Sequence, residues 1–305
     1  MSFPHPETPR FDRPPRQDRV FTHGAFTAAD LAARKGDLTV TVALPARDEA
    51  ATIGPILEEI VAELVERVPL VDELLVIDDL SEDNTAVIAE KAGATVYSSG
   101  EILPEYGSGG KGEALWKSLH VSTGDLITWC DADIRNFDSR FVLGVLGPLL
   151  VDPAIGFVKG FYRRPLNAEG EGGGRVTELM ARPLIASLFP ALETMFQPLS
   201  GEFGGRRDLL RQVPFARGYA VDLALLIDLA DRFGPDVLAQ VDLGSRVHRN
   251  RPLRQLGPQA TAILAMALGR AGIADLDDPV ILARPEFGDA AITVGDLPPL
   301  RDLAD

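Results

Sequence analysis

Cysteine is almost missing from this chain of 305 residues: Cys130 stands alone, so neither an internal disulfide nor a cysteine-based zinc cluster can form. Histidine is nearly as rare, with four copies, and His248 stands out because arginines surround it. No apolar run approaches the roughly 20 residues that a membrane-spanning helix needs. The proline-rich, polar start Met1-Ser2-Phe3-Pro4-His5-Pro6 lacks the apolar stretch of a secretory leader, and the expectation is a cytoplasmic protein with no membrane partner. Positive charge is short too. At a formal net charge of -15 the chain lacks the general basic face that a nucleic-acid binder needs.

What is present is the composition of a soluble globular protein, 46% apolar and 25% charged, long enough for one large domain with an appendage. Cys130 closes the apolar run Leu126-Ile127-Thr128-Trp129 and reads as a small buried hydrophobe. Arginines gather at Arg163-Arg164, Arg175, Arg206-Arg207 and from Arg246 to Arg254, islands that can hold small anions on an otherwise acidic protein.

Residues 1–36 read as an extended arm with one short helix near Thr27 to Arg34. The β-branched run Thr39 to Leu44 predicts a strand stopped by Pro45. Thr52 predicts a cap for a helix whose apolar positions Ile53, Ile56, Leu57, Ile60, Val61, Leu64, Val65 and Val68 keep helical spacing. Glu73 to Ile77 is a second strand ending in Asp78-Asp79, followed by a helix from Thr85 to Ala92 and a short strand from Ala94 to Tyr97. After a glycine-containing loop, Lys111 to Val121 predicts a helix and Leu126 to Cys130 a strand. This β-α alternation predicts an α/β fold, a mainly parallel sheet flanked by helices, over residues 37–151. Ligands of such sheets lie at the carboxyl ends of the strands. Pro45 to Glu49, Asp78-Asp79 and Asp131 to Asp133 all fall there and should meet in one crevice.

Residues 152–273 are less regular: a strand near 155–162, helices from Arg175, over 219–233 and over 254–271, and a strand near 237–241. The preceding helix spans 138–151, and residues 274–305 form a polar, proline-containing tail.

Asp131 and Asp133 lie two apart at a strand end, so their side chains share one side. Two carboxylates so placed repel unless a cation lies between them, and a hard divalent ion also liganded by phosphate oxygens meets that need. His248 can complete a three-ligand site. Gly107-Ser108-Gly109-Gly110-Lys111-Gly112 leads into a helix, where backbone amides and the lysine favour an anion, although the spacing is not that of a P-loop. Gly172-Gly173-Gly174-Arg175-Val176-Thr177 opens another helix, and its amides, guanidinium and hydroxyl can clamp a terminal phosphate.

Several longer segments carry a resemblance. Pro45-Ala46-Arg47-Asp48-Glu49, Gly110-Lys111-Gly112-Glu113-Ala114-Leu115-Trp116, Phe161-Tyr162-Arg163-Arg164-Pro165-Leu166, Gly172 to Leu179, Gln197-Pro198-Leu199-Ser200-Gly201-Glu202 and His248-Arg249-Asn250-Arg251-Pro252-Leu253 resemble the glucosyl-3-phosphoglycerate synthases, from about residue 20 to 272. The resemblance implies a GT-A fold, a homodimer, and transfer of glucose with retention from a nucleotide sugar to the 2-hydroxyl of 3-phosphoglycerate. It implies that Asp131, Asp133 and His248 hold Mg2+ or Mn2+. Pro45, Ala46, Glu49 and Asp79 would meet the nucleotide, Lys111 and Arg246 the donor's phosphates or sugar, and Leu199, Tyr219 and Asp222 the sugar pocket. Asp133, Lys111 and Asp222 would be the catalytic group. Gly174, Arg175, Thr177 and Asn250 would hold the acceptor, which makes residues 152–273 the acceptor-binding, sheet-completing part.

The chain departs from the family's usual leucine and asparagine at Arg47 and Asp48, serine at Asp79 and glutamate at Asp222. All four bear on the donor, so UDP-glucose, GDP-glucose and, in a mannosyl-3-phosphoglycerate synthase, GDP-mannose stay open. A sugar-phosphate nucleotidyltransferase is disfavoured, because it needs a glycine-rich loop after the first strand, where Pro45-Ala46-Arg47-Asp48-Glu49 stands. A non-catalytic sugar-nucleotide-binding protein is separated by a product assay.

Overall fold

The computed structural model describes residues 19–163, 174–247, 252–276 and 278–303. The chain opens with strand β1 (Val20–Thr22) and helix α1 (Ala28–Lys35), whose first turn is capped by the Thr27 hydroxyl. Thus from residue 19 the segment read as an arm belongs to the folded body. Then come β2 (Val40–Ala46), α2 (Ile53–Ile60), β3 (Glu73–Asp78), α3 (Thr85–Lys91), β4 (Thr95–Ser98), α4 (Lys111–Val121), β5 (Leu126–Trp129) and α5 (Arg140–Val151). The second part supplies β6 (Phe157–Arg163), α6 (Arg182–Leu188), β7 (Phe203–Arg206), α7 (Arg207–Leu210), β8 (Phe215–Ala216), α8 (Val221–Phe233), β9 (Leu238–Ser245) and α9 (Leu253–Arg270). The tail adds a hairpin of β10 (Val280–Leu282) and β11 (Ala290–Ile292), and β12 (Asp296–Leu297), which pairs with β8.

Eight strands form the main sheet in the order β1-β9-β6-β7-β5-β2-β3-β4. All neighbours are parallel except β7, which runs against both β5 and β6. Two apolar layers cover the sheet, one built around Val42, Leu44, Ile53, Leu57 and Phe141, the other around Trp116, Trp129, Phe203 and Leu225.

Three local expectations are corrected. Pro45 does not stop β2, because the ladder to β5 ends at Ala43 and the proline's missing N–H falls where only β3 is paired. Thr52 does not cap α2 with its side chain; its hydroxyl donates to the Ala132 carbonyl at 2.6 Å, tying the helix start to the acidic turn. The helix after α2 widens into a π-helical stretch, Val61–Glu66, which leaves Leu64 buried and turns Val65 to the surface. Strand β7 was not foreseen at all. Its Gly204-Gly205 pair has poor strand propensity, yet a Cβ at Gly204 would come within 2.5 Å of the Ile127 carbonyl, so the close approach of β5 requires the glycine.

Candidate active site

The parallel β2, β3 and β5 end along one edge, and the segments after them line a cleft of about 260 Å³. It brings together Pro45, Ala46, Glu49, Asp79, Lys111, Asp131, Asp133 and Tyr219, with Arg47, Gly109 and Gly110. Convergence was the expectation, and its cause is the shared direction of the three strands.

At one end lie the carboxylates. Arg246 Nη2 stands between Asp131 Oδ2 at 2.9 Å and Asp133 Oδ1 at 2.5 Å, so both carboxylates point at one cationic atom. Arg246 is buried and its other terminal nitrogen meets Glu202 at 3.2 Å and the Tyr162 hydroxyl at 2.6 Å. The guanidinium is thus engaged with the acidic pair, where the resemblance implied contact with donor phosphates or sugar. The pair needs a cation, and a tethered one supplies it. The same convergence of two oxygen donors fits a hard divalent ion. Gly201 keeps the space open: a Cβ there would lie 1.9 Å from Asp131 Oδ2. Among the described residues no third histidine, cysteine or carboxylate completes a metal-holding group with the pair, and His248 lies outside them.

Lys111, at the first turn of α4, reaches Asp131 at 3.2 Å and Asp222 at 3.2 Å. Burial opposes its charge, but Asp131, Asp222 and Glu202 prevail and raise it above the ordinary lysine range. Burial likewise opposes ionisation of Asp131, yet Lys111 and Arg246 hold its carboxyl well below the usual range. Asp222 is buried behind Lys111 and does not line the cleft; it also meets Lys159, whose ammonium is 3.5 Å away and lies over the Phe203 ring. Burial lowers Lys159 to about 8.

The other end is built around Asp79, whose Oδ1 accepts from the Ser99 hydroxyl at 2.8 Å and the Gly109 N–H at 2.9 Å. Gly109 is held in place because the buried Lys117 ammonium clips both sides of its loop, donating to the Ser99 carbonyl at 2.6 Å and to the Gly107 carbonyl. Asp48 is exposed and accepts from the Glu82 N–H at 2.8 Å, so it fixes the loop after β3 and takes no part in the cleft wall.

The remaining candidates are elsewhere. Leu199 packs against the core, and Gly174, Arg175 and Thr177 form the start of the helical stretch leading to α6, with Thr177 buried; none of the four lines the cleft. Asn250 lies outside the described residues.

Sequence reasoning missed Glu202, Tyr162 and Lys159, which surround the ion cluster from β6 and from the segment before β7. Tyr162 and Glu202 stood in segments quoted for a resemblance, and Lys159 and Tyr162 in a segment read only as a strand. Nothing local marks a glutamate or lysine for burial, since the contacts that bury it come from distant strands. Glu113 was also missed: it is buried in α4, accepts from the Gly218 N–H at 3.0 Å and pairs with Arg217 at 3.2 Å, holding the segment that carries Tyr219.

A mainly parallel sheet with a two-carboxylate turn and a buried lysine at its carboxyl edge defines a glycosyltransferase of the nucleotide-sugar class, and the chain belongs to Glycosyl transferase family 2, whose profile matches residues 41–210. Within it the chain belongs to the glucosyl-3-phosphoglycerate synthases. It is 49% identical over 263 residues to the synthase of Mycolicibacterium smegmatis, covering 85% of this chain and 86% of that one. To the Petrotoga mobilis synthase it is 48% identical over 241 residues, 77% of this chain and 74% of the other. The crystal structure of the Mycobacterium tuberculosis synthase in complex with Mn2+, UDP-glucose and phosphoglyceric acid superposes with a TM-score of 0.82 at 43% identity, over 90% of this chain and 95% of that chain. The same enzyme with Mg2+ and UDP gives 0.83 at 42% identity, over 92% and 98%. The mainly parallel GT-A sheet expected from the sequence is therefore the fold observed.

Proposed function

We propose that this chain transfers glucose, with retention, from UDP-glucose to the 2-hydroxyl of 3-phosphoglycerate, releasing UDP. The observation that carries the reading is the meeting of Asp131, Asp133 and Lys111 at the mouth of one cleft, in a chain so close in sequence to glucosyl-3-phosphoglycerate synthases. Asp131, Asp133 and His248 would hold Mg2+ or Mn2+, which when bound draws negative charge from the diphosphate leaving group.

The chain's own residues do the rest. Lys111, fixed on two sides by Asp131 and Asp222, keeps its charge and stabilises the departing β-phosphate. Pro45, Ala46 and Glu49 bound the nucleotide, and Tyr219 bounds the sugar. Asp222 acts through Lys111, and Arg246 holds the acidic turn in place. Gly174, Arg175, Thr177 and Asn250 bind the acceptor, with the Arg175 guanidinium on its phosphate. The bond from the anomeric carbon to the β-phosphate oxygen breaks and a bond to the glycerate 2-oxygen forms on the same face. The hydroxyl proton passes to the leaving phosphate oxygen. The reading is of a cytoplasmic homodimer, for which exposed Leu253, Ile281 and Phe287 on α9 and the hairpin beside it offer an apolar face.

The test is to incubate the protein with UDP-glucose, 3-phosphoglycerate and Mg2+ and to identify the product and its anomeric configuration by NMR. An α-glucoside at the 2-oxygen with one UDP per product is expected. UDP binding without turnover would make it a binding protein, and a large preference for GDP-mannose would make it a mannosyl transferase.

A further inference from the structure

One buried cation of the fold takes no part in the transfer chemistry. Lys117, well inside α4, is 0% exposed, and among the described residues no carboxylate lies within salt-bridge distance of its ammonium. Burial pulls it below the ordinary lysine range; Asp79 and Glu113 oppose that shift and Arg217 adds to it. Burying a lone charge is costly, so its partners must offset the cost. Those partners are two main-chain carbonyls, Ser99 at 2.6 Å and Gly107. Both belong to the loop between β4 and α4, so the ammonium is a chord that closes the stretch 99–107. Arg217 adds a second hold, donating to the Tyr106 carbonyl at 2.9 Å. The loop needs such holds. Gly107 and Gly109 have φ of +75° and +95°, so an unheld chain here would sample many conformations. Gly109 and Gly110 line the cleft, next to Lys111.

We propose that Lys117 is a positioning residue for the donor: its ammonium holds the loop closed before the nucleotide sugar arrives, so that Gly109, Gly110 and Lys111 stand ready along the cleft wall. A loop already ordered in the free protein need not be ordered by the ligand, and that cost is removed from binding. Once the donor is seated, its own contacts hold the loop. Lys117 therefore acts on donor affinity and leaves the chemical step alone. The acceptor, bound by Arg175 and its neighbours outside the cleft, does not sense the clamp. This inference rests on the donor-site reading above and adds to it what prepares that site.

Two measurements test it. Lys117→Met keeps the side chain's bulk without its charge, and should raise the KM for UDP-glucose roughly tenfold or more, the scale of losing hydrogen bonds to a charged group. Turnover at saturation, kcat, should change little, and the KM for 3-phosphoglycerate should not move. Lys117→Arg, which keeps the charge and its donors, should recover most of the donor affinity. Hydrogen exchange reads the loop directly in the parent. The amides of Tyr106, Gly107 and Gly109, all hydrogen-bonded, should exchange slowly without any nucleotide. In Lys117→Met they should exchange faster, and slow again when UDP and Mg2+ are added. A merely structural lysine would leave the donor KM alone or raise both KM values alike, and either result would overturn the proposal. So would a parent loop that exchanges freely until UDP binds, a result that stands even if Lys117→Met fails to fold. A parent that neither binds UDP nor turns over UDP-glucose would overturn the donor-site reading itself and the proposal with it.

Discussion

The two ends of the cleft are made in opposite ways. At one end Asp131, Asp133, Asp222 and Glu202 are engaged with Lys111, Lys159 and Arg246 in one cluster, its two outer carboxylates, Asp131 and Asp133, partly exposed to the cleft. At the other end a single carboxylate, Asp79, is tied by neutral donors, the Ser99 hydroxyl and the Gly109 N–H. Buried ion pairs cost much of what they gain, so the first arrangement is a store of interactions that a charged ligand can take over. Burial pushes the Glu202 carboxyl up while Lys111 and Arg246 hold Asp131 low, so the acidic pair at the cleft is the part of the cluster open to an added cation, which in turn favours a diphosphate. The second arrangement is already fixed by hydrogen bonds within the chain. Charge and fixed neutral hydrogen bonding are thereby separated along the cleft.

The largest effect that would break this division is expected at the acidic turn. Asp133→Ala should lower turnover by roughly 100- to 1,000-fold, the scale of removing one preorganised electrostatic group. The variant should fold normally, because Arg246 keeps Asp131 and Glu202. Steady-state rates with far-ultraviolet circular dichroism check both halves. A variant with near-normal turnover would move the phosphate site elsewhere.

Arg175, outside the cleft, gives the next effect. Losing a charge-assisted bond costs about 1.5–3 kcal/mol, so Arg175→Ala should raise the KM for 3-phosphoglycerate roughly 10- to 150-fold. The KM for UDP-glucose should change little, because the donor is read in the cleft. Equal effects on both substrates would refute that separation.

How much of this could be read from residues alone follows the same line. β2, β3, β5 and α4 carry their periodicity locally, so these elements were found to within two residues, the start of α4 at Lys111 among them, although β2 runs on through Pro45 to Ala46. Asp131, Asp133 and Asp79 were legible because strand ends in parallel sheets converge. Glu202, Tyr162 and Lys159 were not, because β6, the antiparallel β7 and β9 are brought together only by the whole sheet. The strand β7 hid behind Gly204-Gly205, a pair that marks close packing and weakens the strand signal. In the tail read as polar and proline-containing, β12 joins β8 and Leu297 and Leu300 are buried, a role set by distant partners.

The smallest effect concerns Lys159 and is a matter of pH. Burial lowers its folded value to about 8 against an ordinary 10.5, with the like charge of Lys111 acting in the same direction and Asp222 against it. Between those limits the unfolded chain binds more protons than the folded one, so this group's contribution to stability rises with pH. Below pH 8 the cost of burying its charge is present in full. Lys159→Met removes that cost, so the variant's stability relative to the parent should be greatest near neutrality and fall as pH climbs from about 8 to 10.5. Urea denaturation across that window measures it, and a difference independent of pH would show that Lys159 is not titrating there.

The central claim is that the acidic turn works with a divalent cation. The direct measurement is formation of glucosyl-3-phosphoglycerate from UDP-glucose and 3-phosphoglycerate by chelator-treated protein, before and after adding back Mg2+ or Mn2+. The expected result is no turnover after chelation and full recovery with either ion in the parent, with no recovery in Asp133→Ala. Undiminished turnover by the chelator-treated parent would contradict the account.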